Sequence, residues 1–163
     1  MSYSINETAL AIALKQGPAS ELYKSLQKEL GKNFKIKLLT FTKIDMTQLQ
    51  AKRLYSSDDS SYAIGGYKPI ELNAWTTRVI EQQRAFVAHK HSELANVFFD
   101  HALIAQLGLG SVINWPVIVN AQVIGTVNLL AEEGAYLNTD MLALEKLAPW
   151  LAIPFLFEST SKE

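Results

Sequence analysis

Two long stretches rich in β-branched residues, separated by only two residues, constrain the fold of this chain more than any other feature. They cover residues 111–119 and 122–130. β-Branched and aromatic residues favour extended strands, and a two-residue gap between such strands is typical of a tight antiparallel turn. We therefore predict a β-hairpin over residues 111–130, preceded by Gly108 and Gly110.

The spacing of apolar residues predicts further helices and strands around this hairpin. A period of 3.6 residues indicates a helix, and alternation indicates a strand with one buried face. We expect helices over 6–16, 20–30, 72–83 and 92–106 and from about residue 140 onward, and strands over 34–44, 49–55 and 85–88. Thr139 is the expected N-cap of the closing helix, which Pro149 and Pro154 should kink or interrupt. Antiparallel strands without repeating βαβ units indicate the α+β class.

The length of 163 residues fits one ordinary domain with one core. We expect a single domain over residues 1–163, in which 1–17 hold the N-terminal helix and the polar tail 158–163 is frayed. The net charge of −1 divides into +4 over residues 1–80 (11 Lys and Arg against 7 Asp and Glu) and −5 over 81–163 (4 against 9). Neither half concentrates its charge into a basic stripe, so nucleic acid is not an expected partner.

The absence of cysteine removes several kinds of chemistry at once. Disulfides, thiolate nucleophiles, thiolate metal sites and thioether attachment of a chromophore all require cysteine. The sequence also has no basic segment followed by an apolar stretch at its start, and no apolar run of the ~18 residues that a membrane span needs. We therefore expect a soluble cytoplasmic protein with no membrane partner.

The punctuating residues of the hairpin follow the spacing S-x4-P-x8-G-x2-N-L, from Ser111 to Leu129. Upstream stand Arg53-Leu54-Tyr55-Ser56-Ser57, Gly65-Gly66-Tyr67-Lys68-Pro69, Trp75 and Phe99-Asp100-His101. In this order, over about residues 20–156, they resemble the GAF family of small-molecule sensor domains, in particular its small stand-alone bacterial members. The resemblance implies an α+β fold with an antiparallel sheet of five or six strands. The N- and C-terminal helices would cover one face, and loops and short helices would cover a ligand pocket on the other.

Two features of the family are missing from this chain. The cyclic-nucleotide signature N-K-x-x-F-x-x-x-D-E of the phosphodiesterase-type members is absent, so a cyclic nucleotide is not the expected ligand. GAF-like proteins that reduce methionine sulfoxide through active-site cysteines, or hold a bilin through one, use a residue that this chain lacks.

Seven residues are candidates for the lining of the implied pocket: Arg53, Tyr55, Tyr67, Trp75, Asp100, Ser111 and Asn114. Arg53 and Tyr55 stand two apart on one strand, so we expect them to share a face and to offer a guanidinium and a phenol to a carboxylate or another planar anion. The alternative for Arg53 is a solvated edge position, and for Trp75 it is a core position. Ser111 and Asn114 have odd spacing, so one of them points away unless a bulge intervenes.

No metal, cofactor or catalytic centre is expected. His89 and His91 could meet one ion from a single strand, but no third ligand follows at a recognisable spacing. Residues 56–61 hold serines and aspartates without a histidine base tied to them. Gly108 and Gly110 lack the third glycine of a pyrophosphate loop and precede a strand instead of a helix.

Three hypotheses of function follow from these patterns. The first is a sensor or regulatory domain that binds a small polar or anionic metabolite and signals in trans, without enzymatic activity. The second is a homodimeric structural or interaction module, paired through its terminal helices, with a vestigial pocket. The third is an enzyme of unknown reaction, since binding folds sometimes host chemistry. We carry the first forward, with a homodimer through the terminal helices as the expected assembly.

Overall fold

The computed structural model describes residues 4–160 and contains two compact units. Residues up to Phe34 and from Thr139 onward form a helical unit, and Lys35–Asn138 form a sheet unit. The helical unit contains α1 (Glu7–Gln16), α2 (Ala19–Leu30) and α6 (Leu142–Thr160). The sheet unit contains β1 (Leu38–Asp45), β2 (Gln50–Ser56), β3 (Tyr67–Pro69), α3 (Ala74–Thr76), a π-helix (Thr77–Glu81), β4 (Phe86–Ala88), α4 (His91–Ala95), α5 (His101–Gln106), β5 (Ser111–Val119) and β6 (Gln122–Ala131).

The sheet has six strands in the order β3-β2-β1-β6-β5-β4, and every neighbouring pair is antiparallel. This arrangement confirms the α+β class and the predicted antiparallel sheet. The single domain expected over residues 1–163 stays a prediction. Of the tail 158–163, the first three residues belong to α6, which extends to Thr160, and the last three lie outside the described residues.

The predicted hairpin is confirmed as β5 and β6, joined by Asn120 and Ala121. Both turn residues have positive φ, 52° and 64°, as a two-residue turn matching the right-handed strand twist requires. One irregularity interrupts the ladder. Val117 pairs with Gly125 but Ile118 pairs with Val123, so β6 holds one extra residue.

A second irregularity lies between β1 and β2. Phe41 pairs with Tyr55, whereas the next residue, Thr42, pairs with Arg53. Leu54 is therefore the extra residue of a bulge in β2. Because side chains alternate between the two faces of a sheet, a bulge reverses the face on which the following residues project.

Two predicted helices are shorter or divided in the structure. The helix expected over 72–83 begins only after Asn73, whose side chain accepts from the N–H groups of Trp75 and Thr76, and after one turn it continues as the π-helix. The helix expected over 92–106 is divided into α4 and α5. The apolar spacing correctly predicted helical structure on both sides of the break. Between the two helices, however, Phe98 packs edge-on against Trp75 and Phe86 instead of continuing a helical stripe. Tertiary packing here overrides the local pattern.

The first strand and the last helix also differ from the expected bounds. The strand predicted over 34–44 starts at Leu38, because the N–H of Phe34 still bonds to the carbonyl of Leu30 at the end of α2. The last helix begins at Leu142, whose N–H donates to Oδ1 of Asp140 at 2.9 Å. It includes Pro149 and Pro154 without interruption.

Glu29 is a buried charged residue of the helical unit. It is 5% exposed, and its Oε1 accepts from the N–H of Asn6 at 2.9 Å and from Nζ of Lys32 at 2.8 Å. Burial opposes ionisation of this carboxyl, but the bonds from Lys32 and Asn6 outweigh it and hold its pKa below the ordinary value of 4.5. The contact joins the start of α1 to the end of α2.

Within residues 4–160, no helix has both the length and the apolar character needed to cross a bilayer.

The Glu29→Gln variant should be less stable than the parent chain at pH 7, by about 1.5 kcal/mol or more, because a charge-assisted bond is lost. The folded-state pKa of Glu29 is lowered, so its ionised form stabilises the protein above pH 4.5 and this contribution is lost as the pH falls through the folded-state value. Urea unfolding at several pH values between 7 and 3 should show that the difference in free energy of unfolding between the parent chain and Glu29→Gln becomes smaller as the pH falls. Glu21→Gln, which removes the exposed pair with Lys24, should change stability by less than about 0.5 kcal/mol throughout.

Substitution of Ala121 by glycine should raise the free energy of unfolding by about 1 kcal/mol, because a left-handed conformation costs an L-residue about 1–2 kcal/mol. Ala102→Gly in α5 is the matched control and should lower it by about 0.5–1 kcal/mol. Denaturant titration of both variants checks this. A destabilised Ala121→Gly protein would contradict the positive φ at this turn.

Candidate functional site

A cavity of about 190 Å³ lies in the sheet unit, on one face of the sheet. Alternate residues of the three central strands form its floor: Thr40, Thr42, Ile44, Val112, Asn114, Thr126, Asn128 and Leu130. Its walls come from β2 and the loop after it, from β3 and the segment that leads into α3, and from the segment between α4 and α5 and the start of α5. They include Arg53, Tyr62, Lys68, Glu71, Trp75, Phe98, Phe99, Asp100 and Ile104. The volume is below the ~300–1,000 Å³ of drug-sized sites, so the space suits a smaller molecule.

A chain of side-chain hydrogen bonds crosses the floor of the cavity. Nε1 of Trp75 donates to Oδ1 of Asn114 at 2.9 Å, and Nδ2 of Asn114 donates to Oδ1 of Asn128 at 2.7 Å. Nδ2 of Asn128 donates to Oγ1 of Thr40 at 3.0 Å and of Thr42 at 3.2 Å. The two amides are 3% and 8% exposed, so leaving them unpaired would be costly. The chain therefore fixes both amides and holds Trp75 against the sheet.

One wall carries two opposite charges that flank Tyr62. The guanidinium of Arg53 lies over the Tyr62 ring, with 3.7 Å between Cζ and the ring centroid. Its Nη1 donates to the carbonyl of Ala63 at 2.7 Å, whereas its Nε is buried and has no partner among the described residues. The Tyr62 hydroxyl donates to Oδ2 of Asp100 at 2.6 Å. Burial and the nearby Asp100 charge raise the pKa of Tyr62, so the phenol remains a donor at neutral pH.

Another part of the cavity lining is apolar. Ile104, Val112 and Leu130 line it and also belong to a buried hydrophobic cluster. Phe98 extends this surface and meets the Trp75 ring at a centroid distance of 6.4 Å. The cavity therefore joins a polar, charged wall to a hydrocarbon one, the composition typical of small-molecule sites.

Four of the seven candidate residues line this cavity: Arg53, Trp75, Asp100 and Asn114. Arg53 is stacked and hydrogen-bonded to its own loop, which differs from the solvated edge position considered as its alternative. Asn114 lies at the centre of the hydrogen-bond chain.

Tyr55, Tyr67 and Ser111 do not line the cavity. The prediction that Arg53 and Tyr55 share a face is wrong, because the bulge at Leu54 places Tyr55 beside Phe41 on the other face, at a centroid distance of 6.1 Å. Burial raises the pKa of the Tyr55 phenol there.

The other two residues project elsewhere. Tyr67 is 55% exposed, with the Lys52 ammonium 5.5 Å from its ring centroid. Ser111 follows the predicted alternation with Asn114 and points away, and its Oγ donates to the carbonyl of Glu132 at 2.7 Å.

Among the lining residues that sequence reasoning missed are Thr40, Thr42, Tyr62 and Asn128, which form the hydrogen bonds of the floor and of the charged wall. The two threonines stand at i and i+2 in the apolar strand β1. This spacing puts both side chains on one face of the sheet, and it is the signal that could have identified them. Asn128 belongs to the hairpin motif, but an asparagine there can equally be a turn-side hydrogen bonder, so the motif alone does not place it in the cavity. Tyr62 carries no local signal, since its position depends on how the loop folds over Arg53.

His91 and His101 lie side by side and do not line the cavity. Nε2 of His91 lies 2.9 Å from the carbonyl oxygen of His101, and the two rings are 5.6 Å apart. The N–H of His89 bonds to Glu93, and that of His91 to Glu133. Among the described residues, no group of three or more His, Cys, Asp or Glu side chains is placed to hold a metal ion.

Several solved structures are similar to this one, although the sequence matches no family model and no curated protein. The GAF domain of a phosphoenolpyruvate-protein phosphotransferase from Coxiella burnetii aligns with a TM-score of 0.70 and 11% identity, over 95% of this chain and 92% of that one. The GAF domain of a two-component sensor histidine kinase from Bacillus halodurans gives 0.66 and 15%, over 86% and 95%. The free methionine-R-sulfoxide reductase from Neisseria meningitidis, in complex with its substrate, gives 0.58 and 12%, over 93% and 86%.

These comparisons show that the chain has the GAF-domain fold, as the sequence resemblance predicted. The similar structures include both domains of sensor proteins and an enzyme. The fold is therefore compatible with ligand sensing and with catalysis, and a choice between them has to be argued from the side chains of the cavity.

Replacing Asn114 by leucine should lower the free energy of unfolding by about 3 kcal/mol, because it leaves the Trp75 donor and the Asn128 acceptor without their partner. Tryptophan fluorescence during urea unfolding measures the change. Asn138→Leu, at an exposed position, is the control and should stay within about 0.5 kcal/mol. Equal stability of the two variants would mean that the buried chain contributes nothing.

Proposed function

We propose that this chain is a ligand-sensing regulatory domain whose cavity binds a small polar metabolite. The observation that carries the proposal is the cavity wall at Arg53. The Nε of this residue is buried without an acceptor among the described residues, and the side chain lines an accessible space. Because Nε itself has no accessible surface, a ligand acceptor would bond to the part of the guanidinium that lines the cavity, where it would gain a charge-assisted hydrogen bond.

The rest of the cavity supports binding of a molecule with both polar and apolar parts. The hydrogen-bond chain of the floor is already satisfied internally, which favours a preformed site with little reorganisation. The apolar wall at Ile104, Val112 and Leu130 offers dry contact area. Preorganised donors combined with hydrocarbon surface are the usual means by which a small ligand gains affinity.

A binding role is favoured over catalysis by the side chains that line the cavity. No histidine is among the described lining residues, and the chain contains no cysteine. The described lining therefore offers neither a cysteine nucleophile nor a histidine base. Redox chemistry through cysteine is equally closed to this protein.

Signalling in trans and homodimer formation through the terminal helices form the second part of the proposal. The helical unit exposes apolar side chains, with Ile12 50%, Leu142 38% and Leu156 42% exposed. Exposed apolar residues of this size favour contact with a second molecule. We also infer a cytoplasmic location, where a chain without cysteine loses nothing to a reducing environment. Light scattering at high protein concentration tests the dimer, and a strict monomer would exclude it.

The Arg53→Gln variant should bind a small metabolite much more weakly than the parent chain. A library of small carboxylates and other metabolites, screened by thermal unfolding, identifies the ligand. At one hundred times its dissociation constant, a true ligand should stabilise the parent protein by about 2.7 kcal/mol. Arg53→Gln should lose most of this stabilisation.

Lys52→Gln is the matched control, because it removes the same charge from the neighbouring residue on the other face of the sheet. It should keep the ligand-induced stabilisation of the parent chain. Absence of any shift across the library, or equal shifts in both variants, would refute a binding site at Arg53.

A further inference from the structure

Asp100 occupies the N-cap position of α5 without capping it. Aspartate is favoured at N-caps because its carboxylate accepts hydrogen bonds from the first turn of the helix. The Asp100 side chain makes no such bond, and its Oδ2 accepts instead from the Tyr62 hydroxyl at 2.6 Å. The carboxylate therefore faces the cavity that it lines.

Arg53 and Asp100 are held apart by the side chain between them. The guanidinium stacks on the Tyr62 ring, whereas the carboxylate is bound at the hydroxyl end of the same ring. No ion pair within 4.0 Å joins the two charges among the described residues. A cation and an anion that line one cavity without neutralising each other can each bind an opposite charge of a ligand.

The formal charges of the lining cancel. Two cations, Arg53 and Lys68, line the cavity together with two carboxylates, Asp100 and Glu71, so their sum is zero. Lys68 and Glu71 are exposed at the rim, where solvent screens them. A ligand with net charge would leave one of the inner charges uncompensated, whereas a zwitterion satisfies both.

We propose that the ligand class of this cavity is a free α-amino acid, an inference that rests on the proposed binding function. Its carboxylate would accept hydrogen bonds from the part of the Arg53 guanidinium that lines the cavity. Its ammonium group would donate to the carboxylate of Asp100. Its side chain would pack against the apolar wall formed by Ile104, Val112 and Leu130, which favours a hydrocarbon side chain.

The first experiment uses the unaltered chain and measures binding of the twenty protein L-amino acids by thermal unfolding and titration calorimetry. Each binder is then compared with the same molecule lacking one charged group. For leucine these are 4-methylpentanoate, which has no ammonium, and 3-methylbutylamine, which has no carboxylate. Loss of a charge-assisted hydrogen bond should weaken binding by about tenfold or more in each case.

The second experiment separates the two charged contacts by substitution. Asp100→Asn keeps an acceptor for the Tyr62 hydroxyl but removes the negative charge. It should weaken binding of the amino acid by about tenfold, while the affinity for the corresponding carboxylic acid stays within about twofold. Glu81→Gln removes one negative charge from an exposed position that does not line the cavity, and it should change neither affinity.

The outcomes distinguish this inference from the proposed function. If a library compound of another charge class binds through Arg53 and no amino acid does, the amino-acid assignment is wrong and the binding function stands. Equal affinity for leucine and 4-methylpentanoate overturns the assignment as well. If no compound of any class binds, the proposed function itself fails.

Discussion

The architecture of the cavity depends on the hydrogen bonds of one buried amide, Asn128. Its side chain accepts from Asn114 on one neighbouring strand and donates to Thr40 and Thr42 on the other. Three strands are thereby tied together beneath the cavity floor by polar groups that are removed from water. Because each of these groups would be costly to leave unpaired, the network favours one arrangement of the floor over others.

That network in turn requires an irregular hairpin. With a regular ladder from the turn at Asn120, Asn114 would stand opposite Val127, but the extra residue in β6 moves it opposite Asn128. The bulge at Leu54 acts in the same way on β2, since it directs Arg53 to the cavity and Tyr55 to the other face. Two single-residue insertions thus decide which polar groups meet, as expected when side chains alternate with a period of two.

The charged wall of the cavity depends on one side chain, Tyr62. Tyr62 binds Asp100 through its hydroxyl and Arg53 through its ring, so a single side chain holds a cation and an anion in separate places. Separation leaves both charges able to recognise a ligand.

The sequence alone determined the class of fold, the β5–β6 hairpin, the helix over residues 20–30 and four residues that line the cavity. These conclusions depend on periodicity and turn chemistry, which are local properties. Only the tertiary structure decided the faces of Tyr55 and Arg53, the pairing of Asn114 with Asn128, and the place of Tyr62. Bulges and loop packing arise from contacts between residues distant in the chain, for example the 38 positions that separate Tyr62 from Asp100, so no local pattern encodes them.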